Sequence, residues 1–266
     1  MVNGYIFDLD GTIYLDNQLI DGAAEAIRCL RERGDKIVFL TNKSISTRYD
    51  YLTKLNNLGI GANIQEIINS NYITAKYLKQ RMSKTDAVFI IGEEALFEEI
   101  ADENITITDD PKKANYVILG WDRMFNYEKI NSAYQAWVHN QATFVATNPD
   151  RTCPVYGGQI PDCAAMIGAL EGVTGQSIDL IMGKPSKFAA NFVVNEVLKM
   201  DPSKCFMVGD RLETDIRMGN ENGLNSVLVL TGITTLDMIK ESEYKPTYTL
   251  ESIKDIVDMK NMISSG

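Results

Sequence analysis

The amino-acid sequence predicts an α/β fold: a Rossmann-like parallel-sheet core with a second α/β domain inserted into it. Three observations lead there. Short apolar segments alternate with amphipathic segments of helical length, the pattern of a parallel sheet covered by helices. Several apolar segments end in acidic or polar residues, and open parallel sheets gather ligands at the carboxyl ends of their strands. The middle of the chain repeats the strand–helix pattern by itself over a length sufficient for a domain.

Tyr5-Ile6-Phe7 is a short apolar strand running into Asp8. Ala23 to Arg33 reads as a helix, with Ala26, Ile27 and Leu30 on one face and Gly34 as its stop. Lys36 to Leu40 is the next strand and ends at Thr41-Asn42. A second helix follows, with Tyr51, Leu52, Leu55 and Leu58 apolar and Gly59 closing it. Three further strands, at 87–92, 116–120 and 144–148, alternate with helical sequence at 94–101 and 127–140. They form the inserted unit, whose edges fall near Met82 and Ser177. The core is therefore expected over 1–81 and 178–266, and the insertion over 82–177. A helix from Ser186 to Lys199 and strands at Cys205–Val208 and Ser226–Leu230 complete the core. Both strands are apolar throughout, as strands buried on two faces are.

The composition narrows the chemistry. A net charge of -10 argues against nucleic acid, which is bound by neutralising phosphates with Lys and Arg. There is no apolar run long enough for a spanning helix, so no membrane partner is expected. Met1 leads almost directly into the first strand, with neither a basic start nor a cleavage site, and a cytoplasmic location is expected. The four cysteines have no C-x-x-C spacing, so neither a zinc site nor a disulfide framework is expected. The single histidine, His139, lies on a helical segment and reads as structural. Histidine triads and multi-histidine metal sites are poor candidates as a result, which leaves acid–base work to carboxylates.

Four segments carry candidate chemistry. In Asp8-Leu9-Asp10-Gly11-Thr12 two acids stand two positions apart as a strand ends, and the alternation of extended chain puts both on one side. Gly11 permits a tight turn that brings backbone N–H groups toward an anion. Thr41-Asn42 offers a hydroxyl and an amide, although by itself it is an ordinary helix start. In Gly183-Lys184-Pro185-Ser186, Pro185 suits the first turn of the following helix and Lys184 stands at its positive end. In Val208-Gly209-Asp210-Arg211-Leu212-Glu213-Thr214-Asp215 a strand again ends in acids. Asp8 and Asp210 together can hold Mg²⁺, which favours a few carboxylates, waters and phosphate oxygens. Asp215 reads either as orienting Lys184 and bound waters or as a first-turn acid on the helix dipole.

In order and spacing these segments resemble the four motifs of the haloacid dehalogenase (HAD) superfamily. Tyr5 to Tyr14, Thr147-Asn148-Pro149-Asp150 and Leu180 to Ser186 are similar to its NagD-type phosphatase branch. The first two motifs are close together and the third is far along, which matches the second class of cap. The resemblance implies Mg²⁺-dependent hydrolysis of a small phosphomonoester: a sugar phosphate, nucleotide or aryl phosphate. Asp8 would be the nucleophile that becomes an aspartyl-phosphate and Asp10 the general acid and base. The metal would be held by Asp8, Asp210 and the Asp10 carbonyl. Gly11 N–H, Thr41, Asn42 and Lys184 would hold the phosphate, with Arg211 and Thr214 near the substrate. The cap would select the substrate through Asn148, Asp150 and the turn from Tyr156 to Asp162 and Cys163, each of which reads equally as loop structure.

Two rivals remain in view. Cys205 to Arg211 fits the C-x5-R spacing of cysteine phosphatases, but Phe206-Met207-Val208 reads as a buried strand rather than a phosphate loop. A phospho-receiver switch also uses Asp, Thr and Lys at strand ends, yet receivers are shorter and lack an acid at the position of Asp10. A phosphotransferase on the same core and a homo-oligomer both stay open.

Overall fold

A computed structural model describes residues 2–155 and 158–259. The chain divides into two compact units, 1–41, 49–68 and 184–266 forming the first and 42–48 and 69–183 the second. The second unit thus begins and ends further out than the edges expected near Met82 and Ser177, and it also takes in the short segment 42–48.

The first unit is built on a six-stranded sheet in the order Tyr248–Leu250, Asn225–Val229, Cys205–Gly209, Gly4–Phe7, Lys36–Thr41, Ile67–Asn69. Gly4–Phe7 pairs in parallel with Cys205–Gly209 on one side and Lys36–Thr41 on the other, with Phe7 opposite both Val208 and Phe39. This strand is central and its side chains are almost wholly buried. Tyr5 stacks on Phe206 with ring centroids 5.1 Å apart. The helix Ala23–Glu32 buries Ala23, Ala26, Ile27 and Leu30, the i, i+3, i+4, i+7 stripe of an amphipathic helix. Those side chains join Tyr5, Phe7, Phe39, Ile253 and Ile256 in one apolar cluster. Each fully buried Ile, Leu or Phe contributes about 1.5–3 kcal/mol, so the cluster fixes the central strand firmly. The segment expected as a helix from Ser186 is α-helical over Lys187–Asn191 and π-helical over Phe192–Leu198.

The second unit has a four-stranded sheet in the order Leu180–Ile181, Thr143–Ala146, Tyr116–Leu119, Val88–Ile91, with parallel pairs throughout. Its core packs Val117, Leu119, Trp121, Ala133, Phe144, Met166 and Leu170 together. The helix Ser70–Arg81 belongs to this unit, as do Tyr127–Asn140 and Cys163–Thr174. Among the described residues no helix is long and apolar enough to cross a membrane.

Candidate active site

Parallel pairing brings the ends of three neighbouring strands to one edge of the first unit. Asp8 follows Gly4–Phe7, Asp210 follows Cys205–Gly209, and Thr41 ends Lys36–Thr41. The Asp8 N–H donates to the Val208 carbonyl at 2.8 Å, so the central strand keeps its neighbour as far as the first acid. Lys184 reaches this edge as well. Its Nζ lies 2.5 Å from Asp8 Oδ1 and 2.7 Å from Asp215 Oδ1. All four groups are buried, with exposures of 7% for Asp8, 2% for Lys184, 1% for Asp210 and 0% for Asp215. Thr41 is buried too.

Three carboxylates around one ammonium leave a negative excess away from water. Burial pushes the Asp210 carboxyl up to about 7, and the charges of Asp8 and Asp215 add to it. Asp215 is raised to about 6 by burial, against the opposing pull of Lys184. Burial lowers the pKa of Lys184, but Asp215 and Asp8 more than reverse this, so the ammonium stays charged. Asp8, Asp210 and Asp215 each offer one carboxylate oxygen within 4.8 Å of the other two. Asp215 thus meets Lys184 through Oδ1, and its Oδ2 accepts the Arg211 N–H at 3.1 Å.

The turn after Asp8 corrects one expectation. The Gly11 N–H donates to the Tyr14 carbonyl at 2.8 Å and is not offered to an anion. Gly11 contributes shape instead. It sits at φ +85°, and a Cβ there would come within 2.6 Å of Asp210 Oδ2. Leu9's carbonyl accepts the N–H groups of Thr12, Ile13 and Tyr14, which closes the turn. Asp10 is half-buried. The Tyr14 hydroxyl is pushed well up by burial and then by the nearby charge of Asp10, with Tyr51 and Asp8 adding smaller effects. Tyr14's ring carries the Lys54 ammonium 3.6 Å from its centroid.

The remaining sequence candidates divide between the units. Arg211 is half-buried and Thr214 buried at the start of the π-helical turn Leu212–Ile216, beside Asp210 in the chain. Asn42 lies in the second unit, where its carbonyl accepts from Ser70 Oγ at 2.7 Å and Asn148 Nδ2 at 3.0 Å. Asn148 Oδ1 accepts the Asp150 N–H at 2.9 Å, so this asparagine serves the loop's own structure. Asp162 accepts the Cys163 N–H at 2.6 Å and caps the helix Cys163–Thr174, the structural alternative to a ligand contact. Of the turn between them, Tyr156 and Gly157 lie outside the described residues. Cys205 begins a buried strand, its thiol pushed up to about 11 chiefly by burial, with Arg211 beyond the strand's far end. That is no thiolate nucleophile.

Three residues outside the four sequence motifs also reach the site. Thr231 Oγ donates to the Gly11 carbonyl at 2.6 Å, the Ile233 N–H donates to Asp210 Oδ2 at 2.8 Å, and Gly232 packs against the same carboxylate. A signal was present: Thr231-Gly232 follows an apolar strand as the other motifs do.

Comparison with known proteins agrees with this geometry. A model of haloacid dehalogenase-like hydrolases matches residues 5–106, and a second, HAD-hydrolase-like model matches 181–256. The sugar-phosphatase AraL of Bacillus subtilis is 36% identical over 96% of this chain and 92% of its own length. The chain belongs to the haloacid dehalogenase-like hydrolases. Within that family it falls in the NagD-type branch. NagD from E. coli K-12 has 30% identity and a TM-score of 0.85 over 96% of this chain and 98% of that one. The p-nitrophenyl phosphatase of Archaeoglobus fulgidus superposes with a TM-score of 0.91 at 34% identity, covering 97% and 99% of the two chains. The branch expected from the motifs is thus shown, along with its parallel-sheet fold.

Proposed function

We propose that this chain is a Mg²⁺-dependent phosphatase of small phosphomonoesters, acting through a phosphoryl group carried on Asp8. The observation that carries this reading is the buried cluster at one sheet edge, in which Lys184 joins Asp8 to Asp215 beside Asp210. The donor set fits a hard divalent cation. Oxygen ligands are what Mg²⁺ takes, and Asp210 Oδ1 is buried without a hydrogen-bond donor among the described residues. Asp8, Asp210 and the Asp10 carbonyl would hold the ion, whose charge lets a carboxylate approach a phosphate dianion.

Asp8 attacks phosphorus in line, forming an O–P bond as the bond to the alcohol oxygen breaks. Asp10 gives that oxygen a proton, then takes one from the water that attacks the phosphoryl group and frees Asp8. Lys184 fixes the Asp8 carboxylate and presents positive charge to the phosphate oxygens, while Thr41 supplies a hydroxyl donor. The stretch between Thr41 and Lys184 holds the second unit, the chain position of a substrate-selecting cap. The names of the relatives favour sugar and aryl phosphates as substrates. The negative net charge is consistent with small-molecule rather than nucleic-acid substrates.

Phosphate release from p-nitrophenyl phosphate and a panel of sugar phosphates and nucleotides tests this directly, with Asp8→Asn as the blank. Release from the wild type with Mg²⁺ is expected, with a loss of about 10⁴-fold or more in Asp8→Asn, as when other covalent nucleophiles are removed. No release from any ester, or undiminished release in Asp8→Asn, would overturn the proposal.

A further inference from the structure

Among the described residues the Asp210 carboxylate is hydrogen-bonded on one of its oxygens only. Oδ2 accepts the Ile233 N–H at 2.8 Å and lies between two glycines from opposite ends of the chain. A Cβ on Gly11 would stand 2.6 Å from it, and one on Gly232 would overlap it. The same two Cα positions are close, since the Gly11 Cβ would fall 3.2 Å from the Gly232 Cα. Thr231 ties the two walls together through its 2.6 Å hydrogen bond to the Gly11 carbonyl. On its other side Gly11 is held by its N–H bond to Tyr14. Oδ1 of the same carboxylate is buried and without a donor among the described residues. The two oxygens are therefore inequivalent before anything binds.

We propose that Thr231-Gly232-Ile233, closed against Gly11, is a positioning element for the divalent-cation site. By occupying Oδ2 it leaves Asp210 a single oxygen to present, so the carboxylate binds through one atom. One-atom carboxylate ligation suits the small, octahedral Mg²⁺, whereas Ca²⁺ readily takes two oxygens from one carboxylate. The loop thus favours Mg²⁺ over Ca²⁺ without contributing a carboxylate of its own. The proposal rests on the Mg²⁺ reading above and extends it to residues outside the acidic cluster.

The test is calorimetric titration of the full chain, freed of metal by EDTA and dialysis, with Mg²⁺ and separately with Ca²⁺. Gly232→Ala pushes a methyl group into Oδ2 and is expected to weaken Mg²⁺ binding about 10–100-fold, the range for groups that orient a metal ligand. Thr231→Val removes only the latch. It is expected to weaken Mg²⁺ more than Ca²⁺, and Thr231→Ser to restore the wild-type ratio. Circular dichroism checks folding, and if Gly232→Ala does not fold then Thr231→Val decides. Unchanged Mg²⁺ and Ca²⁺ affinities in folded variants of a Mg²⁺-binding wild type would overturn the positioning role alone. A wild type that binds no Mg²⁺ would overturn the metal reading, and this proposal with it.

Discussion

At the scale of single residues, Lys184 governs the electrostatics of the site. Its ammonium is nearly inaccessible to water and holds Asp8 and Asp215 together. Lys184→Met keeps the bulk and removes the charge, leaving buried carboxylates unpaired. Breaking a buried ion pair in this way costs about 3–5 kcal/mol, which urea unfolding in EDTA would measure. Activity is expected to fall about 10²–10³-fold even where the variant is folded, as for loss of an oxyanion donor. The sequence made Asp8, Lys184 and Asp210 legible because each directly follows or precedes an element whose apolar pattern is strong. It left Asp215 between two readings, since a first-turn acid looks the same whether it faces the dipole or a lysine. The sequence offers the Gly11 N–H to an anion because its actual acceptor, the Tyr14 carbonyl, is set by a hairpin with two-residue strands, too short for any periodicity.

At the scale of elements, the strands of four or more residues in the two parallel sheets are readable, Val88–Ile91 at a sheet edge included, and the shorter ones are not. Gly4–Phe7, Lys36–Thr41 and Cys205–Gly209 are buried on both faces and so run as near-continuous apolar segments. Ile67–Asn69, Tyr248–Leu250 and Leu180–Ile181 have two or three residues each and leave no such run. The loop at Thr231 is hidden for a related reason, since its contact with Gly11 spans 220 residues and its contact with Asp210 spans 23. The helix Cys163–Thr174 supplies a prediction of its own kind. If Asp162 is its cap rather than a substrate contact, Asp162→Ala should lower stability by about 1 kcal/mol in thermal unfolding. KM and kcat should stay near wild type, and a large rise in KM would return Asp162 to the substrate.

At the scale of the whole molecule, the sequence showed two units but not their borders. Segment 42–48 joins the second unit through hydrogen bonds from Ser70 and Asn148 to Asn42, from Asn71 to Ser44, and through the Arg48–Glu99 ion pair. None of these pairings is visible in a local pattern. The acidic cluster also couples global stability to pH. Asp210 is raised from an ordinary 3.8 to about 7 and Asp215 to about 6, chiefly by burial, so the folded chain holds protons that the unfolded chain has released. The contribution of the site to stability is thus greatest at acid pH and declines as pH rises from about 4 to about 7. In EDTA the melting temperature of Asp210→Asn should decline less over that window than the wild type. Mg²⁺ binds the ionised carboxylates, so it should raise the melting temperature more at about pH 8 than at about pH 5. Equal Mg²⁺ effects at both pH values would contradict the assignment of those acids to the cation.

The role of Asp8 is tested most directly by trapping the phosphoryl group on it. Turnover of p-nitrophenyl phosphate with Mg²⁺ is quenched in acid, the protein is reduced with borohydride, and the peptide containing residue 8 is sequenced by mass spectrometry. An acyl phosphate at Asp8 is reduced to homoserine, so homoserine at position 8 of the wild type, and only with substrate present, is the expected result. Steady phosphate release with Asp8 unmodified, together with retained activity in Asp8→Asn, would show that another group attacks phosphorus.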